Sequence, residues 1–280
     1  MYPELFHWGP LHLRTYGLML AVAFLVGTWL ALREARRRSL DEDKVVNVVL
    51  VVLVASVIGA RALFVLEHIQ EFRRGWGSVL AVWQGGLTLY GGVVAGTVAA
   101  LAAARGMKMP MWAVADALTP SVALGTVFGR VGCYLNGCCY GRPTSLPWGV
   151  VFPADSFAGL EFGNAPIHPA QLYFALAGLV LFGVTWGLRR RFAVPGTLFW
   201  TFMMLFALVR VPLDLTRSYE PEATVLRLGA TDITESQVSS LALALFATLM
   251  ILRLRRTRAA EATILGAAGT DRGPEPPVRV

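Results

Sequence analysis

Fourteen residues near the centre of the chain, Gly129-Arg130-Val131-Gly132-Cys133-Tyr134-Leu135-Asn136-Gly137-Cys138-Cys139-Tyr140-Gly141-Arg142, hold all three cysteines and two arginines. Arg130 stands where an apolar, helix-length run ends, a costly place for a guanidinium. The glycines beside it strip away side-chain bulk, so the backbone there is suited to an anion at a membrane surface. Arg61 sits in an earlier apolar run, and Arg210, Asp214 and Arg217 follow at i, i+4 and i+7, which predicts one shared helical face. Four arginines exceed what one or two acids can pair. A phosphate group is the natural missing anion, because guanidinium forks match its oxygens. Snorkelling and purely structural pairing are the alternatives. Asp116 falls nearer the opposite end of its run and reads as a structural or capping group.

The cysteines admit several readings. Cys133, Cys138 and Cys139 could be small buried apolar residues, could include one disulfide with a free thiol left over, or could supply a catalytic thiol. C-x4-C-C without a nearby histidine is a poor zinc pattern, so no metal ligand is assigned, and no cofactor is expected.

What must position these groups is a membrane scaffold. Of 280 residues, 55% are hydrophobic and only 15% charged, with a mean hydropathy of +0.57, too little charge to cover a soluble surface. Runs long enough to cross a hydrocarbon core lie at Thr15–Leu32, Val45–Leu66, Gly85–Ala104, Trp112–Val131, Pro169–Leu188, Pro195–Leu213 and Ser236–Leu252. The expected fold is an all-α polytopic membrane protein with seven transmembrane helices. Basic clusters follow the first, third, fifth and seventh runs (Arg36 to Arg38, Arg105 with Lys108, Arg189 to Arg191, Arg253 to Arg258). The positive-inside rule then places the N-terminus outside and the C-terminus in the cytoplasm. The net charge of +7 is thus topogenic, and nucleic acid is not an expected partner. Met1–Arg14 does not read as a signal-peptide n-region, so the first run is a retained helix.

Residues 1–258 are expected to form one integral membrane domain, with residues 133–167 as a small external head and 259–280 as a disordered cytoplasmic tail. Glu67–Gln84, with Trp76 and Trp83, reads as an interfacial segment, and Thr216–Thr234 as a polar external loop. The glycines Gly85, Gly86, Gly91, Gly92 and Gly96 serve either close helix packing or a lipid cavity faced by Tyr90.

Taken together, the motifs resemble those of bacterial phosphatidylglycerol–prolipoprotein diacylglyceryl transferases. Gly129-Arg130-x-Gly132-x-x-x-Asn136-Gly137-x-x-x-Gly141 is similar to that family's signature. Tyr16-Gly17-Leu18-Met19, Gly59-Ala60-Arg61, Trp83-Gln84-Gly85-Gly86-Leu87 with Gly91-Gly92, His168-Pro169-x-Gln171-Leu172-Tyr173, Arg210 with Asp214 and Arg217, and Ser236-Gln237 follow in the family's order. The resemblance implies transfer of the diacylglyceryl group of phosphatidylglycerol to the lipobox cysteine thiol in the signal-peptide region of a prolipoprotein. Glycerol phosphate is released, in the bacterial cytoplasmic (inner) membrane among its lipids. It implies catalytic roles for Arg130, Arg210, Tyr90 and Asp214, and substrate binding by Tyr16, Arg61, Asn136, Gly137, Gly141, Arg217 and His168. Acyl chains would lie in a cavity along Tyr16, Tyr90 and the third-run glycines.

The chain departs from the family's pattern at named positions. Many members have His at Tyr90, Asn at Cys133, Glu at Cys138 and Glu at Asp214. The acceptor thiol's proton would then pass to the phosphate or to Asp214. Attack by Cys133 or Cys138 on the glyceryl carbon would give a thioether, from which the thiolate departs too poorly to be passed on. A non-catalytic phospholipid- or lipoprotein-binding homologue and a membrane thiol–disulfide protein are the alternative functions.

Overall fold

The computed structural model describes residues 4–8, 11–72, 76–82, 85–219, 224–228 and 231–270. Seven of its helices are long and apolar enough to cross a membrane: α1 (Thr15–Arg37), α2 (Glu42–Glu67), α4 (Leu89–Gly106), α5 (Met111–Asn136), α7 (Ala170–Leu188), α8 (Thr197–Asp214) and α9 (Glu235–Thr270), the last spanning over Glu235–Thr257. Short α3 (Ile69–Phe72) and α6 (Phe157–Phe162) lie between them. Leu25, Val54, Ile58 and Val94 are among the many large apolar side chains left exposed along these helices, as expected of surfaces that face lipid rather than water.

The expected membrane domain divides into two compact units, Met1–Phe24 with Val122–Val280, and Leu25–Ser121. In the second unit α2 packs on α4 through a seam of small residues. A Cβ on Gly59 would run into Ala95 and the Gly91 carbonyl, one on Gly91 would meet Leu63 Cβ at 2.7 Å, and one on Gly96 would collide with the Ser56 hydroxyl. Small-residue seams of this kind let backbones approach where no hydrophobic effect operates between helices. Gly59, Gly91 and Gly96 therefore serve the close packing of α2 on α4. The third helix also starts at Leu89 rather than Gly85, because Gly85 and Gly86 adopt φ of 95° and 75° and turn the chain before it. Trp83 and Gln84 lie outside the described residues.

In the first unit α7 packs on α8, and α8 on α9. Two antiparallel hairpins not anticipated from the sequence precede the first and last helices: β1 (Glu4–Trp8) with β2 (Leu11–Arg14), and β3 (Thr224–Leu228) with β4 (Thr231–Thr234). Helix α5 continues to Asn136, past the residue 133 at which the head was expected to begin, and ends where Gly137 takes φ 73°. The head has a core of its own, Phe152, Ala158 and Ile167 flanked by Tyr134, Tyr140 and Phe162. Helix α9 runs through residues 259–270, expected to be disordered, where alanines favour continued helix; residues 271–280 lie outside the described residues.

Candidate functional site

Helix α5 delivers Arg130 one turn and a half before its end, and the chain beyond reverses through Gly137. Asn136, the last helical residue, reaches the Cys138 thiol with its side chain. Cys138 N–H donates to the Cys133 carbonyl at 3.1 Å, and Cys139 follows with φ 58°, a left-handed conformation that costs a side chain about 1 kcal/mol or more. This tight reversal gathers the three sulfurs. Cys133, Cys138 and Cys139 are free thiols, each half-buried, and all their Sγ atoms lie within 4.8 Å of one another.

The loop is anchored on both sides. Fully buried Gln171, in the first turn of α7, donates from Nε2 to the Cys138 carbonyl at 2.8 Å. Gly141 pairs with Arg217 across a β-bridge, and Arg142 donates from Nε to the Arg217 carbonyl at 2.9 Å. Gly141 has no room for a side chain: a Cβ would sit 2.6 Å from His168 Cβ and 2.7 Å from the Thr216 carbonyl. His168 itself donates its N–H to the Arg142 carbonyl and sets its ring beside Tyr173. That places His168 in the scaffold of the loop.

Arg217 does not continue the α8 face as the i, i+7 spacing predicted. The helix ends at Asp214, Leu215 caps it, and Arg217 stands in the loop beyond, because Pro212 and the turn at Leu213–Arg217 stop the helix. Asp214, 1% exposed, is the hub of this region. Its Oδ1 accepts from the Tyr219 hydroxyl at 2.7 Å, and its Oδ2 accepts from the Ser236 hydroxyl and, at 3.4 Å, from Arg210 Nε. Arg210 Nε also donates to Ser236 Oγ at 2.9 Å. Tyr219 in turn accepts from Arg217 Nη1 at 3.0 Å and lies under that guanidinium at 4.5 Å. Burial pushes the Tyr219 hydroxyl's pKa up. Asp214 thus orients two arginines, one directly and one through a tyrosine. Tyr219 and Ser236 complete this network. The sequence signal for Ser236 was its place in the Ser236-Gln237 pair, whereas Tyr219 had only its nearness to Arg217.

Arg130 is held differently. Its guanidinium stacks over the Phe174 ring at 4.5 Å, and among the described residues it forms no hydrogen bond and no carboxylate ion pair with the protein. Arg130 and Arg217 both act electrostatically on Cys139. Hydrogen bonds from the Cys133 and Cys138 thiols, aided by those two cations, hold the Cys139 thiol well below its ordinary pKa against the opposing effect of burial. Tyr16 lies within electrostatic reach of the three thiols and Arg130, and Gly132 makes its room: a Cβ there would stand 3.0 Å from Tyr16 Cδ2. The first unit therefore brings together Tyr16, Arg130, Asn136, Gly137, Gly141, Arg210, Asp214 and Arg217.

Arg61 and Tyr90 belong to the other unit. Arg61 is 8% exposed, and its guanidinium donates to four carbonyls: Val79 at 2.8 Å, Ser78 at 2.6 Å, Gly85 at 2.8 Å and Gly86 at 3.0 Å. Phe64 and Phe72 flank it at 5.5 and 5.3 Å. Tyr90, in the first turn of α4, is 71% exposed. Asp116, fully buried, pairs with Arg38 at 3.4 Å, the structural role anticipated for it.

The family model described as prolipoprotein diacylglyceryl transferase matches residues 3–253. The chain is similar to three proteins named phosphatidylglycerol–prolipoprotein diacylglyceryl transferase. That of Geobacter sulfurreducens is 34% identical over 79% of this chain and 83% of the relative. That of Trichormus variabilis is 32% identical over 77% and 79%, and that of Mannheimia succiniciproducens 32% identical over 92% and 94%.

Proposed function

The chain belongs to the prolipoprotein diacylglyceryl transferase family, and from that membership we propose how its residues carry the reaction. It is a multi-pass membrane enzyme that transfers the diacylglyceryl group of phosphatidylglycerol to a prolipoprotein. The acceptor is the thiol of the lipobox cysteine in the signal-peptide region, and the product is a thioether. The thiolate sulfur attacks the glyceryl carbon, the bond from that carbon to the phosphate oxygen breaks, and glycerol phosphate departs with the electron pair.

One observation carries the reading: Arg130 presents a guanidinium with no hydrogen-bond or carboxylate partner among the described residues, on a loop whose Cys139 thiol Arg217 also reaches. A departing phosphate gains negative charge on an oxygen, and preoriented guanidinium donors stabilise that charge more than the ground state. Arg130, Arg210 and Arg217 supply these donors. Asp214 acts as a positioning residue, since its oxygens are already engaged by Tyr219, Ser236 and Arg210. That leaves the phosphate as the acceptor of the thiol proton. Asn136 and the Gly137 and Gly141 backbone shape the approach of the thiol, with Tyr16 on the opposing helix and His168 fixing the loop. Arg61 holds the turn before α4 in place through the Gly85 and Gly86 carbonyls, and Tyr90 stands exposed in the first turn of that helix.

The basic groups Arg36 and Arg37 closing α1 and Arg105 closing α4 support an orientation with the N-terminus outside, in the bacterial cytoplasmic membrane. The test is conversion of a fluorescent lipobox peptide by the purified protein in phosphatidylglycerol micelles. Thioether product is expected from the wild type and none when the peptide cysteine is replaced by serine. No product with wild-type protein would overturn the reading.

A further inference from the structure

Three thiols gathered at one loop, facing a reaction whose nucleophile is itself a thiol, call for more than packing. We propose that Cys133, Cys138 and Cys139 form a three-thiolate zinc site whose fourth position takes the acceptor thiol; this deepens the transferase reading and rests on it.

The geometry suits the ion. Zinc–sulfur bonds of about 2.3 Å at tetrahedral angles set sulfurs about 3.8 Å apart. The three Sγ atoms already lie within 4.8 Å of one another, so small side-chain rotations close the site. They come from a helix end and a reversed loop whose backbone is fixed by Cys138 N–H to the Cys133 carbonyl and by Gln171 to the Cys138 carbonyl. Such outer hydrogen bonds orient metal ligands and are part of a site's design. All three cysteines are half-buried rather than sealed, which leaves an approach for a fourth ligand. Sites with three protein ligands and an open position are the catalytic kind.

Charge agrees with this assignment. A divalent ion in three thiolates is a net anion, and Arg130 and Arg217 both reach the cluster with positive charge. The chemistry balances. On coordination the acceptor thiol loses its proton, because a metal-bound thiol is deprotonated. Its sulfur attacks the glyceryl carbon, the carbon–oxygen bond to phosphate breaks, and the leaving glycerol phosphate takes up the proton. The thioether product is a weaker ligand than a thiolate and departs. Zinc changes no oxidation state, so no redox partner is needed.

The full-length protein is reduced, stripped of metal with a chelator and titrated with Co(II), whose thiolate charge-transfer and d–d bands report ligand type and number. We expect about one Co(II) per chain with thiolate bands, and a rise of about one third in the charge-transfer band when a cysteine-containing lipobox peptide is added. The serine peptide should leave the bands unchanged. Cys133→Ser and Cys138→Ser should each lose the bands. Absence of thiolate bands in reduced wild-type protein whose three thiols all titrate overturns the proposal, as does a peptide addition that changes nothing. If bands are absent while the peptide is still alkylated, the zinc site fails and the transferase reading stands. If the bands and the peptide increment appear but no metal form yields thioether, the transferase reading fails and the metal site stands.

Discussion

Arg61 and Arg130 occupy the same kind of sequence position, each an arginine near the end of an apolar, membrane-length run. Their surroundings set them apart. Around Arg61 the chain bends back through Gly85 and Gly86 in left-handed conformations, which turns four carbonyls onto one guanidinium. Around Arg130 the next segment arrives as an aromatic face, so the guanidinium is packed by Phe174 without a hydrogen-bond partner among the described residues. The first arginine is taken up by backbone carbonyls, and the second keeps its donors without a hydrogen-bond or carboxylate partner among the described residues. A buried cation with each of its nitrogens met by a carbonyl is a structural pin; one held by packing alone is the stronger candidate for the phosphate of the proposed reaction.

The largest effect that sharpens this contrast is at the free cation. Arg130→Ala should lower kcat/KM for peptide alkylation by about 100- to 1000-fold, the range for losing one charge-stabilising donor. Its melting temperature should stay near that of the wild type. Steady-state rates with a parallel melt check both halves.

At the pinned cation the expectation reverses. Arg61→Ala strips the shared donor from four backbone carbonyls and should cost about 1–3 kcal/mol of stability. Activity per folded molecule should persist, read by normalising transfer to the folded fraction. Gly141→Ala is the control in the first unit: with no space beside His168 and Thr216, it should destabilise by about 1–3 kcal/mol, the usual cost of overpacking, and lower activity with it. Chemical denaturation in detergent measures both.

Smaller effects test the hub. Asp214→Asn keeps one acceptor oxygen, enough for Tyr219 or Ser236 but not both, and loses the charge that holds Arg210. At about 1.5 kcal/mol for a charge-assisted hydrogen bond, kcat/KM should fall roughly tenfold. Smallest of all, Tyr90→Phe removes an exposed hydroxyl and should change kcat/KM by no more than about twofold, within the 0.5 kcal/mol of a surface change. A loss of a hundredfold there would make Tyr90 a catalytic group.

The sequence made some of this contrast legible. Seven apolar runs of spanning length gave the seven helices, because hydropathy over about 20 residues is a strong signal. The signature around Arg130 marked the loop in which the three sulfurs gather. The hairpins were missed, since strands of four and five residues carry little periodicity against two long neighbouring helices. Arg217 was placed on a helical face that ends three residues before it, at a stop set by local turn geometry. The difference between Arg61 and Arg130 could not be read at all, because it depends on where a distant loop points its carbonyls. Likewise the spacing C-x4-C-C does not reveal that the reversal through Gly137 and Cys139 leaves the three sulfurs within 4.8 Å of one another.

The most direct test of the central claim compares thioether formation per folded molecule for wild type, Arg130→Ala and Arg61→Ala in the same phosphatidylglycerol micelles. The account predicts near-complete loss for Arg130→Ala and retained turnover for the folded fraction of Arg61→Ala. Retained turnover in Arg130→Ala, with loss in folded Arg61→Ala, would contradict it.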